Sequence, residues 1–205
     1  MGTTKHKSKL REYIEAIVYA LILAMILRSF VIQAYKIPSG SMIPTLLVGD
    51  HILVNKFIFG LSIPFTDKKY LAFRNPERGD VIVFKYPEDE SRDFIKRVIG
   101  KEGDIIEVKD KVLYVNGKTH DEKYAQYTEK ELMDKALGPR DEFGPVTVPK
   151  GKLFVMGDNR DHSLDSRFWG FVDLNQVRGE AVIMYWSWDS DTSWVRFNRI
   201  GRLIK

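Results

Sequence analysis

The chain has 205 residues, a formal net charge of +4, and 44% hydrophobic and 12% aromatic residues, a composition that supports a folded core and argues against general disorder. Its 32 lysines and arginines nearly balance 28 aspartates and glutamates, without a long basic run or zinc-ligand spacing, so nucleic-acid binding is not expected. Cysteine is absent, which excludes disulfides, thiol catalysis and thiolate metal sites.

The amino end predicts a membrane anchor. An apolar run over residues 16–27 follows four basic residues, Lys5, Lys7, Lys9 and Arg11. This run reaches only ~18 Å at ~1.5 Å per helical residue, short of a ~30 Å hydrocarbon core, and it gains the needed length by continuing to Ile32. A cleavable signal peptide would share the basic start and the apolar centre, but no convincing small-x-small cleavage site follows.

An uncleaved anchor divides the chain into three parts. Basic residues stay on the cytoplasmic side of a membrane, which fixes the orientation. We therefore expect a cytoplasmic tail at 1–12, a transmembrane helix at 13–33 and an extracytoplasmic domain at 34–205.

The first motif after the anchor is a turn around Ser41. It reads Pro38-Ser39-Gly40-Ser41-Met42-Ile43-Pro44-Thr45. Proline fixes its own φ and glycine permits backbone angles that other residues resist, so such a turn can present one hydroxyl and one backbone N–H on a rigid backbone. An ordinary turn after a membrane segment is the alternative.

Beyond this turn the pattern is β. Short β-branched or aromatic runs predict strands at His51–Val54, Val81–Phe84, Ile105–Val108, Leu113–Val115 and Leu153–Met156. Asn116-Gly117 predicts a hairpin turn. A short helix is expected at Glu129–Leu137, inside a small lobe at roughly 108–150. The aromatic residues at 185–188 and Trp194 fit either a strand and core or contact with a bilayer surface.

The second motif is a strand at 93–100 that contains Lys96. Alternation along a strand places Phe94, Lys96 and Val98 on one face and Arg97 on the other. Burial among apolar neighbours would lower the pKa of this lysine from ~10.4, and a drop to about 8 would correspond to ~3 kcal/mol of lost charge stabilisation. A neutral amine can take a proton from a serine, as in Ser/Lys hydrolases. An edge-strand lysine with its amine in water is the alternative.

The third motif is a polar loop at 157–170, which follows an apolar strand. Its acids and arginines can pair with one another and with Arg97 and so frame a nearby site. A calcium loop is rejected because the first, third and fifth ligand positions would be Asp158, Arg160 and His162. A solvated loop without function is the remaining alternative.

Together these segments resemble the type I signal peptidases, the membrane-bound bacterial leader peptidases. The resemblance covers nearly the whole chain: the anchor, the Ser-Gly-Ser-Met turn, Arg78-Gly79-Asp80, the segment from Lys96 to Gly100 and the Gly-Asp-Asn-Arg-Asp-x-Ser loop. It implies a mostly β fold, with antiparallel sheets forming a barrel-like catalytic core with a small inserted lobe, behind one N-terminal transmembrane helix. It implies removal of signal peptides after Ala-x-Ala sites, with exported preproteins and the lipid bilayer as partners and no cofactor or metal.

The resemblance also assigns roles by position. Ser41 would be the nucleophile and Lys96 the general base, while the Ser41 N–H and the Ser39 hydroxyl would form the oxyanion hole. Ser163 would orient the amine of Lys96. Structural support would come from Arg97, Asp158, Asp165 and Arg167, and shallow substrate pockets would be lined by Ile37, Pro38, Met42, Leu46, Phe94 and Ile95.

Three alternatives to this function remain. A Ser-His-Asp hydrolase would pair Ser41 with His51 or His162, but residues adjacent in sequence rarely form a triad, and no Gly-x-Ser-x-Gly elbow is present. Self-cleaving repressors of the SOS type use Ser/Lys chemistry but would need a DNA-binding head in place of the anchor. A membrane-anchored β-rich binding module without catalysis would not need Ser41 or Lys96.

Overall fold

The computed structural model describes residues 9–62, 69–70 and 72–205, and the basic residues Lys5 and Lys7 lie outside the described part. The chain begins with helix α1 (Lys9–Phe30), and a second, one-turn helix is α2 (Ser166–Trp169). The strands are β1 (Ile32–Lys36), β2 (Asp50–Asn55), β3 (Leu61–Ser62), β4 (Lys69–Tyr70), β5 (Val81–Tyr86), β6 (Asp89–Gly100), β7 (Ile105–Lys109), β8 (Val112–Val115), β9 (Lys118–Thr119), β10 (Phe143–Thr147), β11 (Lys152–Met156), β12 (Val172–Asp173), β13 (Val177–Asp189) and β14 (Trp194–Val195).

The strands form antiparallel sheets, as predicted. The large sheet has the order β1-β2-β13-β5-β6-β11-β12, with β14 paired to β13. A smaller sheet has the order β10-β7-β8-β9, and β3 pairs with β4. All five strands predicted from β-branched and aromatic runs are confirmed, and so is the strand that carries Lys96.

The predicted barrel-like core is wrong in one respect, because the large sheet does not close. In the described residues, no pairing joins its terminal strands β1 and β12. Strand β12 has only two residues, so it offers little backbone for a further partner. The protein therefore consists of open, twisted sheets packed over several apolar clusters rather than one barrel interior.

The hairpin turn at Asn116-Gly117 is confirmed between β8 and β9. Both residues have positive φ, 54° and 75°, as two-residue turns between antiparallel strands require. The four-stranded sheet covers residues 105–147, close to the predicted lobe at 108–150. The lobe's boundaries and its status as a separate unit stay a prediction.

The helix predicted at Glu129–Leu137 is wrong, since only a 3₁₀ turn at Lys135–Leu137 forms. Of the backbone donors in this segment, the Met133 N–H would bond within a helix that begins at Glu129, whereas the N–H groups of Thr128 and Glu129 would be unpaired at its start. Asp161 accepts from the N–H groups of Thr128 and Glu129 at 2.7 and 2.8 Å, and Asp141 accepts from the Met133 N–H at 2.7 Å. Tertiary hydrogen bonds therefore override the local preference for a helix.

In the part of the chain that the structure describes, no helix combines the length and the apolar character of a membrane span. The anchor at 13–33 stays a prediction. The aromatic residues at 185–188 lie on β13 and Trp194 lies on β14, which confirms the predicted strand. Their expected place in the core is wrong, since Tyr185, Trp186 and Trp188 are 39–41% exposed and Trp194 is 67% exposed.

The large sheet brings the three sequence motifs together. The Ser41 turn connects β1 to β2, Lys96 lies on β6, and the polar loop follows β11. Strand β6 runs between β5 and β11, and Arg97 pairs with Met156 at the end of β11. The polar loop therefore starts beside the strand that carries the lysine.

Candidate active site

The turn that carries Ser41 is held by its apolar residues. Met42 and Leu46 are fully buried and Ile37 is 2% exposed, and all three belong to one core cluster. Backbone bonds tighten the turn, with the Leu46 N–H donating to the Met42 carbonyl at 2.8 Å. The Ser41 hydroxyl therefore lies at a cavity surface on a backbone that the core fixes.

Lys96 is buried directly against this hydroxyl. The side chain is 4% exposed, and its Nζ donates to Ser41 Oγ at 2.7 Å and to the Ile95 carbonyl at 3.1 Å. The Phe94 ring lies on the same side, with its centroid 5.4 Å from Nζ. The predicted alternation and the predicted burial of Lys96 are both confirmed.

Burial lowers the pKa of Lys96 to about 8, although the carboxylates of Asp165 and Asp158 oppose the shift. A large fraction of the amine is therefore neutral in mildly alkaline solution. A neutral amine at hydrogen-bond distance from a hydroxyl can act as a general base for it. The pair has the geometry of an activated nucleophile.

A buried ion pair joins the lysine strand to the polar loop. Arg97 and Asp158 are 1% and 0% exposed, and two bonds of 2.8 and 2.7 Å connect the guanidinium to the carboxylate. The guanidinium also donates to the Gly79 carbonyl at 2.7 Å. Thr45, four residues after Ser41, donates to Asp158 at 2.5 Å. This pair therefore links all three motifs.

A second ion pair fixes the far end of the loop. Arg167 donates to both carboxylate oxygens of Asp165 at 2.9 Å and to the carbonyls of Arg140 and Arg160 at 2.7 Å. Burial alone would raise the pKa of Asp165, but Arg167 and further hydrogen bonds hold it below the ordinary value. Asp165 is thus a permanent buried charge, and the predicted pairing of acids and arginines is confirmed.

Ser163 lies in this loop but does not make the predicted hydrogen bond to Lys96 in the described residues. It is 6% exposed, and its hydroxyl makes no well-formed hydrogen bond in the described residues. It is close enough to Asp165 to help lower the pKa of that carboxyl group. Its orienting role towards Lys96 stays a prediction.

The reactive pair opens into a cavity of about 510 Å³. Ser39, Ser41 and Lys96 line it together with the predicted pocket residues Pro38, Phe94 and Ile95. The other three predicted pocket residues, Ile37, Met42 and Leu46, do not line this cavity; they pack in the core cluster beneath the turn. Their contribution to a substrate pocket stays a prediction. In the structure these three side chains support the turn from below as part of the core.

Sequence reasoning gave no role to three residues that hold the site. Thr45 bonds Asp158, Asn159 lines the cavity, and the Tyr124 ring lies 4.0 Å from the Arg97 guanidinium carbon. Thr45 and Asn159 stand inside the quoted motifs, so their polar side chains were an available signal. Nothing local in the sequence marks Tyr124, because its contact is made only by the fold.

Neither histidine proposed for a triad is bonded to Ser41. His51 Nδ1 lies 3.2 Å from the Gly49 carbonyl, and His162 Nε2 lies 3.0 Å from Thr128 Oγ1. The side chain of His162 is 55% exposed. Lys96 is the titratable group that bonds the Ser41 hydroxyl in the described part of the chain.

Comparison with known proteins identifies the family of this chain. The sequence profile of the family described as signal peptidase, peptidase S26, matches residues 10–186. The chain belongs to the signal peptidase family. It is a type I signal peptidase, and thus a serine endopeptidase by family membership.

Related signal peptidases cover most of the chain. Signal peptidase I of Pseudomonas fluorescens is 39% identical over 95% of this chain and 79% of its own length. Signal peptidase I P of Bacillus subtilis subsp. natto is 40% identical over 90% of this chain and 94% of its own length. A crystal structure of an Enterococcus faecalis signal peptidase I is 32% identical and covers 52% of this chain and 97% of its own, with a TM-score of 0.43.

The burial of Lys96 predicts a specific dependence of stability on pH. Its pKa is about 8 in the fold against 10.5 ordinarily, so between these values the unfolded chain binds more protons and stability rises with pH. Below this range, burying the charge costs about 3 kcal/mol at ~1.36 kcal/mol per pKa unit. Lys96→Met removes that cost but loses two hydrogen bonds, to Ser41 Oγ and to the Ile95 carbonyl, of ~1 kcal/mol each.

We therefore expect Lys96→Met to unfold at higher urea concentration than the wild type near neutral pH, with a free energy of unfolding about 1 kcal/mol larger. The difference should disappear near pH ~9 and reverse in sign towards pH ~10. Lys150→Met, at an exposed lysine, serves as the control and should change little at either pH. A difference that is independent of pH would show that Lys96 is not held with a lowered pKa.

Proposed function

We propose that this peptidase removes N-terminal signal peptides from exported preproteins, cutting after small-x-small sites such as Ala-x-Ala. The observation that carries the proposal is the 2.7 Å contact between Ser41 Oγ and the buried amine of Lys96. Family membership supports the same reaction. No metal or cofactor takes part in the mechanism.

The first half of the proposed reaction acylates Ser41. Neutral Lys96 takes the hydroxyl proton as Oγ attacks the scissile carbonyl, which becomes a tetrahedral oxyanion. The Ser41 N–H and the Ser39 hydroxyl stabilise that oxyanion. Protonated Lys96 then gives its proton to the leaving amine, so the mature protein departs and the signal peptide stays esterified to Ser41.

The second half releases the signal peptide. Neutral Lys96 takes a proton from water as the water attacks the ester carbonyl. The intermediate collapses, Ser41 Oγ recovers the proton from Lys96, and the signal peptide leaves as a carboxylic acid. Asp165 keeps its charge throughout, because Arg167 binds it through two bonds and its pKa is lowered. Arg97 likewise holds Asp158 in place through two bonds.

The cavity suits an extended substrate with small side chains. Pro38, Phe94 and Ile95 line it between the serine turn and the lysine strand, and the cleavage region of a preprotein would lie there as an added strand. Stacking of Phe94 on Tyr86, with centroids 4.3 Å apart, fixes one wall.

We also propose that residues 13–33 hold the enzyme at the bilayer, with 1–12 in the cytoplasm and 34–205 outside. Support comes from α1, which exposes Tyr13, Ile17, Tyr19 and Leu21 by 58–70%. Soluble proteins rarely expose an apolar surface of this kind. A bilayer would bury these side chains and place the catalytic cavity near a membrane-embedded signal peptide.

Cleavage by site variants tests the Ser/Lys mechanism. A purified preprotein whose signal ends in Ala-x-Ala should be cut by the wild type in detergent. Ser41→Ala and Lys96→Met should lose at least ~10³-fold in rate, because each removes a group that forms or breaks a bond. His162→Ala, at an exposed residue on the cavity rim, should retain cleavage.

Each other result has a distinct meaning. A Lys96→Met variant with near-normal activity would refute the Ser/Lys mechanism. Loss of cleavage in His162→Ala would reopen the choice of base. A folded wild type that cuts no preprotein would favour a membrane-anchored binding module.

The rate should depend on pH through Lys96. The base must be neutral, so kcat/KM should rise with pH along a limb whose apparent pKa is about 8, the value to which burial lowers the pKa of Lys96. The measurement is cleavage of a short peptide substrate from pH ~6 to ~10. A rate that peaks near pH ~6 and falls above it would require another base.

Membrane association is tested by extraction. We expect the full chain to stay with sedimented bacterial membranes after alkaline carbonate treatment, since α1 would be embedded. Charging two exposed positions of that helix, with Ile17→Lys and Leu21→Lys together, should release the protein while preserving its peptidase activity in detergent. Wild-type protein found in the supernatant would contradict the proposal.

A further inference from the structure

Asn159 binds the chain on both sides of Ser41. It is 7% exposed, lines the cavity, and has no role in the mechanism described above. Its side-chain Nδ2 donates to the Gly40 carbonyl at 3.0 Å, and its backbone N–H donates to the Ser41 carbonyl at 3.1 Å. The peptide groups before and after the nucleophile are thus both held by one residue of the polar loop.

The side-chain bond controls the direction of the Ser41 N–H. The Gly40 carbonyl and the Ser41 N–H belong to one trans, planar peptide group, in which C=O and N–H point in opposite directions. A donor that holds the carbonyl on one side therefore directs the N–H to the other side. In the described residues the Ser41 N–H has no hydrogen-bond partner, so it is free to bind a developing oxyanion.

This peptide group needs to be held because Gly40 precedes it. Glycine restricts its own backbone angles least, so the plane of the following peptide group can rotate more easily than after any other residue. The Ile43 N–H also donates to the Gly40 carbonyl, but at the longer distance of 3.2 Å. Asn159 supplies the shorter of the two bonds and connects the group to the rigid loop.

We propose that Asn159 is a positioning residue that sets the oxyanion hole by fixing the Gly40–Ser41 peptide plane through its side-chain amide. The inference rests on the proposed function of Ser41. Pre-oriented donors stabilise an oxyanion because they need no reorganisation during the reaction. A hydrogen bond to the carbonyl also polarises the peptide group and strengthens its N–H as a donor.

Asn159→Leu isolates this role. Leucine keeps a similar volume without the amide donor, and the backbone bond to the Ser41 carbonyl survives any side-chain change. We expect kcat to fall about 100-fold, as when one oxyanion donor is lost, with KM changed less than about threefold. Affinity for a substrate-derived peptide aldehyde, whose oxygen occupies the oxyanion hole after addition of Ser41, should fall by a similar factor.

The pH dependence of the rate of Asn159→Leu distinguishes a loss of positioning by the Asn159 side chain from a displacement of the polar loop. The loop also carries Asp158 and Asp165, which act on Lys96, so a displaced loop would shift the alkaline rise in rate. The proposal is supported if kcat is lower while the increase in rate with pH occurs over the same pH range as in the wild type. Asn55→Leu is the matched control, because it removes an asparagine bonded to the Phe57 and Ile58 N–H groups outside the cavity, and its kcat should be unchanged.

Other outcomes overturn the inference. It fails if Asn159→Leu keeps kcat within about threefold of the wild type, or if the loss lies in KM or comes with a shifted pH profile. Thermal melting checks folding, and Asn159→Ala replaces the leucine variant if leucine prevents folding. An active Ser41→Ala would refute the proposed function itself, whereas an inactive Ser41→Ala with a normal Asn159→Leu would refute only this inference.

Discussion

The structure depends on the burial of one amine. Lys96 lies almost wholly out of water with its Nζ on the Ser41 hydroxyl, and this burial lowers its pKa to about 8. The same desolvation that makes it a usable base at moderate pH destabilises the fold whenever it is protonated. The rest of the site must therefore hold this arrangement against a local energetic cost.

Two buried arginine–carboxylate pairs hold the polar loop rigidly beside Lys96. Arg97 with Asp158 and Arg167 with Asp165 fix both ends of the polar loop. Buried ion pairs contribute little net stability, because removing both charges from water offsets their attraction, but they strongly disfavour other arrangements. Since Asp165 and Asp158 also favour the protonated amine, burial must outweigh them for Lys96 to act as a base.

Sequence reasoning predicted the site better than its surroundings. The alternation of side chains along a strand placed Lys96 on the same face as Phe94 and Val98. The charge pattern of the polar loop indicated that its carboxylates pair with Arg97 and Arg167. It failed at Glu129–Leu137, where Asp141 accepts from the Met133 N–H, a donor that the expected helix would use, and Asp161 binds the N–H groups at the start of the segment. Such bonds between distant residues have no local signal in the sequence.

The sequence alone determined the strands, the hairpin turn and the three motifs, because these follow from local periodicity, turn chemistry and residue type. The tertiary structure decided that the large sheet stays open and that Ile37, Met42 and Leu46 pack beneath the turn instead of lining the cavity. It also decided the contacts of Asn159 and Tyr124 with residues far away in the chain. Pairing of β6 with β11 and the bridge between Gln126 and Asn159 bring these segments together, and pairing between distant segments is a property of the whole chain.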